Sequence, residues 1–325
     1  MGTKRVMAAA AVAAGLAVAG AAPSQAAEKV TYQLPAAAFL PAFGPWMVAV
    51  QRGYYAKEDL DVTFESGRGG VDTAKAVGVG NAQIGGALGD TPIIVRANGV
   101  PVKAVALLGG GSLMQLVVRE DSPIKGPADL KGKTITVMAY QDTTYYALIG
   151  MLAKVGLTKN DVNAQAAGPV NVWKLFLAGQ SEGLASVPDW EGDLIEAGAK
   201  IRIIPANDYF QSMAQVVIAS DKMIQERPEL IKKLVRATLH GWQDVVKDPD
   251  GAAKDYVKAV PQRAGQEAAM ARVFKLYNQY VYPGQSKPGA IDEARLANLQ
   301  QFYLQHGIIE KPTPVKELYT NQFVE

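Results

Sequence analysis

Two ten-residue segments, one hundred positions apart, carry the same pattern. Ser112-Leu-Met-Gln115-Leu-Val117-Val-Arg-Glu-Asp121 recurs as Ser212-Met-Ala-Gln215-Val-Val217-Ile-Ala-Ser-Asp221, with Ser, Gln, Val and Asp at equal offsets. Both read as strands. Between them runs a second series of strand and helix signals, so one α/β unit is inserted into another. We read the two copies as strands crossing between two lobes, side by side at a hinge. Matched strands there would satisfy each other's backbone groups.

The flanking patterns support that reading. Strands are expected at 30–34, 61–65, 82–87 and 102–108, with helices at 45–56, 71–79 and 91–98. This is the rhythm of a parallel sheet covered by helices. It restarts with a strand at 134–139, a helix at 143–155, a helix at 172–178, and strands at 183–187 and 201–204. From Pro228 the pattern is helical, with Leu230, Leu234, Leu239, Trp242 and Val246 at helical spacing. Lobe 1 is therefore residues 27–113 plus 222–325, and lobe 2 is residues 114–221. Two such lobes on two crossovers leave a cleft that closes by hinge bending. Ligands of α/β sheets bind beyond the carboxyl ends of the strands. The loops after Leu34, Glu65, Ala87 and Leu108 are the ones to watch.

Residues 1–26 read as a cleavable signal peptide. Lys4 and Arg5 precede a run of Ala, Val, Gly and Leu, and Ser24-Gln25-Ala26 offers small residues for cleavage. The expected location is the periplasm. The whole chain has 33 Lys and Arg against 31 Asp and Glu, so nothing draws it to nucleic acid. The absence of Cys excludes disulfides, thiolate metal sites and a cysteine nucleophile. Two His, His240 and His306, make a zinc site improbable and stand at poor positions for catalysis. No catalytic residue, metal or cofactor is expected. Residues 126–134, GPADLKGKT, imitate a phosphate loop, but Gly126 lies one residue too far from Gly132-Lys133.

Residues 121–137, DSPIKGPADLKGKTITV, closely resemble the start of lobe 2 in periplasmic solute-binding proteins of ABC importers. The group is the NMT1/THI5-like type, serving nitrate, sulfonate, taurine and thiamine-pyrimidine solutes. GYYAKEDLDV at 53–62, GNAQIGG at 80–86 and NGVPVKAVA at 98–106 extend the match over roughly 28–245. The resemblance implies a type II two-lobed periplasmic binding protein fold. It also implies a monomer that delivers a small solute to a membrane permease paired with an ATPase.

The loops supply the candidate ligand contacts. Gly67-Arg68-Gly69-Gly70 follows the second strand and opens a helix; its N–H groups could face a polar or anionic ligand, the bland alternative being a glycine-permitted turn with Arg68 in water. Asp90 and Thr91 follow the third strand, where Asp90 also suits a helix cap. In Tyr140-Gln141-Asp142-Thr143-Thr144-Tyr145, Gln141-Asp142 stands where oxyanion binders resemble Gly-Ser. Asp142 would occupy the bare N–H groups and repel an anion, while Thr143 keeps a hydroxyl. Asp189-Trp190-Glu191 resembles the Trp-Glu-Gly segment of the thiamine-pyrimidine branch. There a carboxylate could pair with a ring nitrogen and amino group, and Trp190 could stack; the bland alternative is a helix start. Phe39, Phe43, Trp46, Tyr140, Tyr145, Trp190 and Tyr209 cluster on these loops, and some must be core. The favoured solute is a thiamine-pyrimidine-like or other aromatic heterocycle. A sulfonate, taurine or nitrate type oxyanion is the alternative. A pyrimidine-synthase-like enzyme and a receptor-linked sensing subunit are further readings.

Overall fold

The computed structural model describes residues 1–2 and 26–324. Of the signal peptide expected at 1–26, residues 3–25 lie outside the described residues.

The first lobe begins with β1 (Glu28–Leu34), α1 (Gly44–Gln51), α2 (Tyr54–Lys57), β2 (Leu60–Ser66), α3 (Gly70–Val79), β3 (Ile84–Leu88), α4 (Thr91–Arg96) and β4 (Val102–Leu108). The single helix expected at 45–56 is two, because Gly53 turns the chain at φ 68° between α1 and α2. The second lobe contains β5 (Gln115–Arg119), β6 (Thr134–Val137), α5 (Thr143–Lys154), β7 (Asn163–Ala166), α6 (Gly168–Leu177), β8 (Gly183–Ser186), α7 (Pro188–Glu196) and β9 (Ile201–Pro205). The chain returns through β10 (Gln215–Ser220). It finishes with α8 (Asp221–Glu226), α9 (Pro228–Lys247), α10 (Pro249–Ala259), α11 (Glu267–Tyr280), α12 (Glu293–Gln305) and α13 (Val315–Leu318).

Each lobe holds one five-stranded sheet, ordered β2-β1-β3-β10-β4 and β7-β6-β8-β5-β9. The two orders are equivalent, strand for strand. β10 runs antiparallel between β3 and β4, and β5 runs antiparallel between β8 and β9. This corrects the reading of the repeated segments. They do not pair with each other; each occupies the same slot in a different sheet. The repeat marks equivalent environments: every residue of β10 is buried, and so are the first four of β5. The phosphate-loop look-alike is a single 3-10 turn, Pro127–Leu130, leading into β6.

The copies do meet at their starting serines, where the chain crosses between lobes. The Ser212 amide donates to Ser112 Oγ at 3.0 Å, and the Ser112 amide and hydroxyl both reach Asn207 Oδ1 at 2.9 Å. Arg295 of α12 donates to the carbonyls of Gly110 and Ser212, one on each crossover. Side chains have no room here. A Cβ on Gly110 would fall 2.4 Å from the Gly284 carbonyl carbon, and one on Gly111 would fall 2.4 Å from the Tyr280 oxygen. The first-lobe core lies on both faces of its sheet, with Tyr32, Leu34 and Ile84 from the strands meeting Trp46, Phe274 and Tyr277 from the helices.

Candidate functional site

The loops at the carboxyl ends of the parallel strands are where ligands of doubly wound sheets bind, and here those of the two lobes meet across buried contacts. Two groups of carboxylates and tyrosines lie there.

The first surrounds the start of α7, which follows β8. Pro188 sits at the first helical position, where a missing N–H costs nothing. Asp189 Oδ2 accepts from the Ala42 amide at 3.2 Å and Oδ1 accepts from the Tyr277 hydroxyl at 3.1 Å. Ala42 and Tyr277 belong to the first lobe, so Asp189 ties the lobes together. Gln215, first residue of β10, supports that contact by donating to the Ala42 carbonyl at 2.6 Å. Burial pushes the Asp189 carboxyl up to about 7, with the two hydrogen bonds opposing it and Asp193 adding to it. Glu191 is different. It is 0% exposed, and neither carboxylate oxygen has a hydrogen-bond partner. Burial, then the charge of Asp189, push it up to about 8; the nearby Ser186 hydroxyl opposes this slightly but points its bond at the Val187 carbonyl, 3.3 Å away, and leaves Glu191 without one of its own.

The second group joins β3 of the first lobe to α5 of the second. Asp90, expected to cap α4, makes no such bond. Its Oδ2 accepts from the Tyr303 hydroxyl at 2.5 Å, while Oδ1 is buried and unpaired. Asp142 does cap, with Oδ1 accepting from the Thr144 amide at 2.9 Å and from the Thr144 hydroxyl. The N–H that an anion would need is thus taken. Tyr146 of α5 meets Tyr303 edge-on across the lobes, ring centres 5.6 Å apart.

The other expected residues divide. Thr143 is half-buried at the first position of α5. Tyr140 is 54% exposed and lies edge-on to buried Tyr145 at 5.6 Å. Thr91 is buried with its hydroxyl 3.1 Å from where a Gly70 Cβ would lie, so the glycine turn rests on the start of α4. Arg68 is exposed on that turn, its amide 3.4 Å from Asp72 Oδ2. Phe39 is exposed, with its carbonyl accepting from the Tyr256 hydroxyl at 2.5 Å. Phe43 and Trp46 are core: Trp46 is 1% exposed and packs edge-on to both Phe43 and Tyr32. Tyr209 packs on the second-lobe core. Trp190 does not share the side of α7 that Glu191 presents to the first lobe. It rests against the cluster of Phe176, Leu184 and Leu194. Successive helical residues point about 100° apart, so neighbours in sequence part company.

Reasoning from the sequence missed Tyr146, Tyr277, Tyr303 and Gln215. Gln215 carried a signal, since it repeats Gln115. The tyrosines belong to helices whose placement over the cleft no local pattern reveals. Among the described residues no group of His, Asp and Glu has the arrangement of a metal site, and no helix is long and apolar enough to cross a membrane.

The sequence model of the NMT1/THI5-like family matches residues 40–252. The riboflavin-binding protein RibY of Chloroflexus aurantiacus is 25% identical over 288 residues, spanning 87% of this chain and 82% of that protein. A 4-amino-5-hydroxymethyl-2-methylpyrimidine phosphate synthase of Schizosaccharomyces pombe is 24% identical over 226 residues, 66% of this chain and 64% of that one. The periplasmic aliphatic sulphonate binding protein SsuA of Escherichia coli superposes with a TM-score of 0.71 at 16% identity, covering 93% of this chain and 94% of that one. At that identity the likeness bears on the fold alone, which is the two-lobed α/β architecture of periplasmic binding proteins. With most of its length inside the family's sequence model, and with that architecture, the chain belongs to the NMT1/THI5-like family.

Proposed function

We propose that the chain is the solute-binding component of an ABC importer and captures an aromatic heterocyclic solute between its lobes. A signal peptide at 1–26 would send it to the periplasm, where it would serve a membrane permease and its ATPase without transforming the solute. The first border lies at 113/114, but the second falls before β10 rather than at 221/222, because Gln215–Ser220 pairs with β3 and β4 of the first lobe; the site comprises the loops that follow β2, β3, β6 and β8.

One observation carries the ligand class. Glu191 is fully buried where α7 meets the first lobe, beside Tyr277 and Tyr280, with both oxygens unpaired. A carboxylate in that position costs stability until donors reach it. An aminopyrimidine protonated on the ring nitrogen beside its amino group supplies two donors in one plane, each bond contributing about 1.5–3 kcal/mol. A sulfonate or nitrate brings no donor, and Asp142 has already closed the helix N-terminus that would hold it. The RibY relationship supports an aromatic heterocycle, since riboflavin is a fused ring system whose N–H, set between two carbonyls, supplies one such donor.

The test is calorimetry with three probes: lumiflavin, 2,5-dimethylpyrimidin-4-amine and hexanesulfonate. At least one heterocycle should bind and the sulfonate should not. Glu191→Gln should weaken the heterocycle about tenfold, equivalent to 1.4 kcal/mol, without lowering the melting temperature of the ligand-free protein. Tight sulfonate binding, or unchanged heterocycle affinity in the Glu191→Gln variant, would overturn the reading. Recovery of the solute with altered mass would point to a synthase instead.

A further inference from the structure

The Asp90 end of the cleft has a charge problem of its own. Asp90 ends the β3 loop of the first lobe, and Asp142 begins α5 of the second. The two stand near each other: Tyr303, which donates to Asp90, meets the ring of Tyr146, and Tyr146 lies one turn along α5 from Asp142. Two more groups face them: Tyr146 from α5, and Tyr303 from α12, which donates to Asp90 Oδ2. The charged or titratable groups that act on Asp90, Asp142, Tyr146 and Tyr303 are one another, Tyr145 and the Thr144 hydroxyl; no Lys, Arg or His is among them. Burial leads in pushing the Asp90 carboxyl up to about 7, and it raises Asp142 as well.

Two carboxylates in a closing, dehydrating cleft repel unless something donates to them. The tyrosines donate one bond, to Asp90 Oδ2. Asp90 Oδ1 stays buried with no partner. This is separate from the Glu191 end, whose neighbours are Asp189, Ser186, Tyr277 and Tyr280.

We propose that Asp90 and Asp142 form a second subsite of the cleft, one from each lobe, which takes a part of the solute bearing two or more O–H or N–H donors, a polyol or an alkylamine. The inference rests on the solute-binding reading above and sharpens it: the solute has a heterocyclic end at Glu191 and a donor-rich tail at Asp90 and Asp142. A tail that bridges the two carboxylates favours closure as well as binding, because it converts their repulsion into two charge-assisted hydrogen bonds.

The experiment uses the tails alone, so that it does not depend on the ring. Ribitol and 1,4-diaminobutane are titrated separately into the full mature chain, followed by saturation-transfer NMR, with a dissociation constant of order 1 mM expected for one of them. Asp90→Asn and Asp142→Asn should each weaken that binding about tenfold. Asn caps a helix as well as Asp does, so Asp142→Asn keeps α5 intact even if Asp90→Asn unfolds the β3 loop. Ribitol binding insensitive to salt identifies a polyol tail; diamine binding that falls with salt identifies an amine. Absence of binding by both tails, or binding unmoved by the two substitutions, overturns the subsite. Failure of the ring reading would appear elsewhere, in lumiflavin and the pyrimidine, and would leave the tail result standing or falling separately.

Discussion

Glu191 shows how a single buried group sets a pH dependence. Its carboxyl is moved from its ordinary value of 4.5 up to about 8, with burial the main cause. Below the ordinary value it is protonated in both folded and unfolded chains and costs nothing. As pH rises, the unfolded chain releases the proton first, so stability falls with pH and the loss is complete above the folded value. Asp90 and Asp189, each pushed up to about 7, act in the same direction. The ligand-free protein should therefore melt at progressively lower temperature across the window from the ordinary carboxylate range to about 8. Glu191→Gln should flatten the upper part of that slope, and a bound heterocycle should do the same in the natural sequence. Differential scanning fluorimetry across this range checks it; parallel slopes for the variant and the natural chain would exclude a buried charge at Glu191. The sequence placed Glu191 just after the strand of the second lobe, ahead of a helix expected from Gly192; the helix begins earlier, at Pro188, and Glu191 lies in its first turn. No local pattern separates Glu191 from Trp190, since a nine-residue helix carries too few apolar positions to show which side is buried.

At the scale of elements, the repeated segments are the most legible feature, and the sequence misleads about them in one respect. Alternation and matched residues reveal two strands in like surroundings, but not which partners surround them. Pairing is decided by the sheet orders, where β5 and β10 each enter from the opposite lobe. β7 escapes detection because Asn163-Ala-Gln-Ala has none of the β-branched residues that mark a strand; it forms an edge held by β6 alone. The Gly109-Gly110-Gly111 run is visible as a sequence, but its reason is not: packing against 281–285 leaves no space for a Cβ. Arg295 then links the two crossovers through the carbonyls of Gly110 and Ser212, and its burial holds its pKa down to about 10. A lysine has no planar fork to span two carbonyls. Arg295→Lys should therefore loosen both crossovers, with amide hydrogen exchange at 109–113 and 210–214 several-fold faster while β1 to β3 stay protected. Exchange unchanged in these segments would remove Arg295 from the hinge.

Several contacts join the lobes: Asp189 accepts from Ala42 and Tyr277, Tyr146 meets Tyr303, Phe210 meets Phe302 with ring centres 4.6 Å apart, and Gly192 of α7 abuts Val273 of α11. The Arg272–Glu196 ion pair also bridges the lobes, at 2.5 Å, but both side chains are well exposed. Exposed pairs contribute about 0–1 kcal/mol, whereas leaving a buried acceptor unpaired costs about 1–3 kcal/mol. Magnitude therefore assigns the latch to Asp189. Asn at that position offers one acceptor oxygen for two donors, so Asp189→Asn leaves either the Ala42 amide or the Tyr277 hydroxyl without its partner. The equilibrium between open and closed lobes should then shift toward open, and the apparent affinity should fall by the fraction of closed molecules lost. Small-angle scattering tests this. The natural chain saturated with its heterocycle should be more compact than the free chain; Asp189→Asn should need several-fold more ligand for the same compaction. Arg272→Ala should behave like the natural chain. Identical profiles with and without ligand would exclude a hinged cleft. Loss of compaction in Arg272→Ala equal to that in Asp189→Asn would move the latch from the buried carboxylate to the surface ion pair.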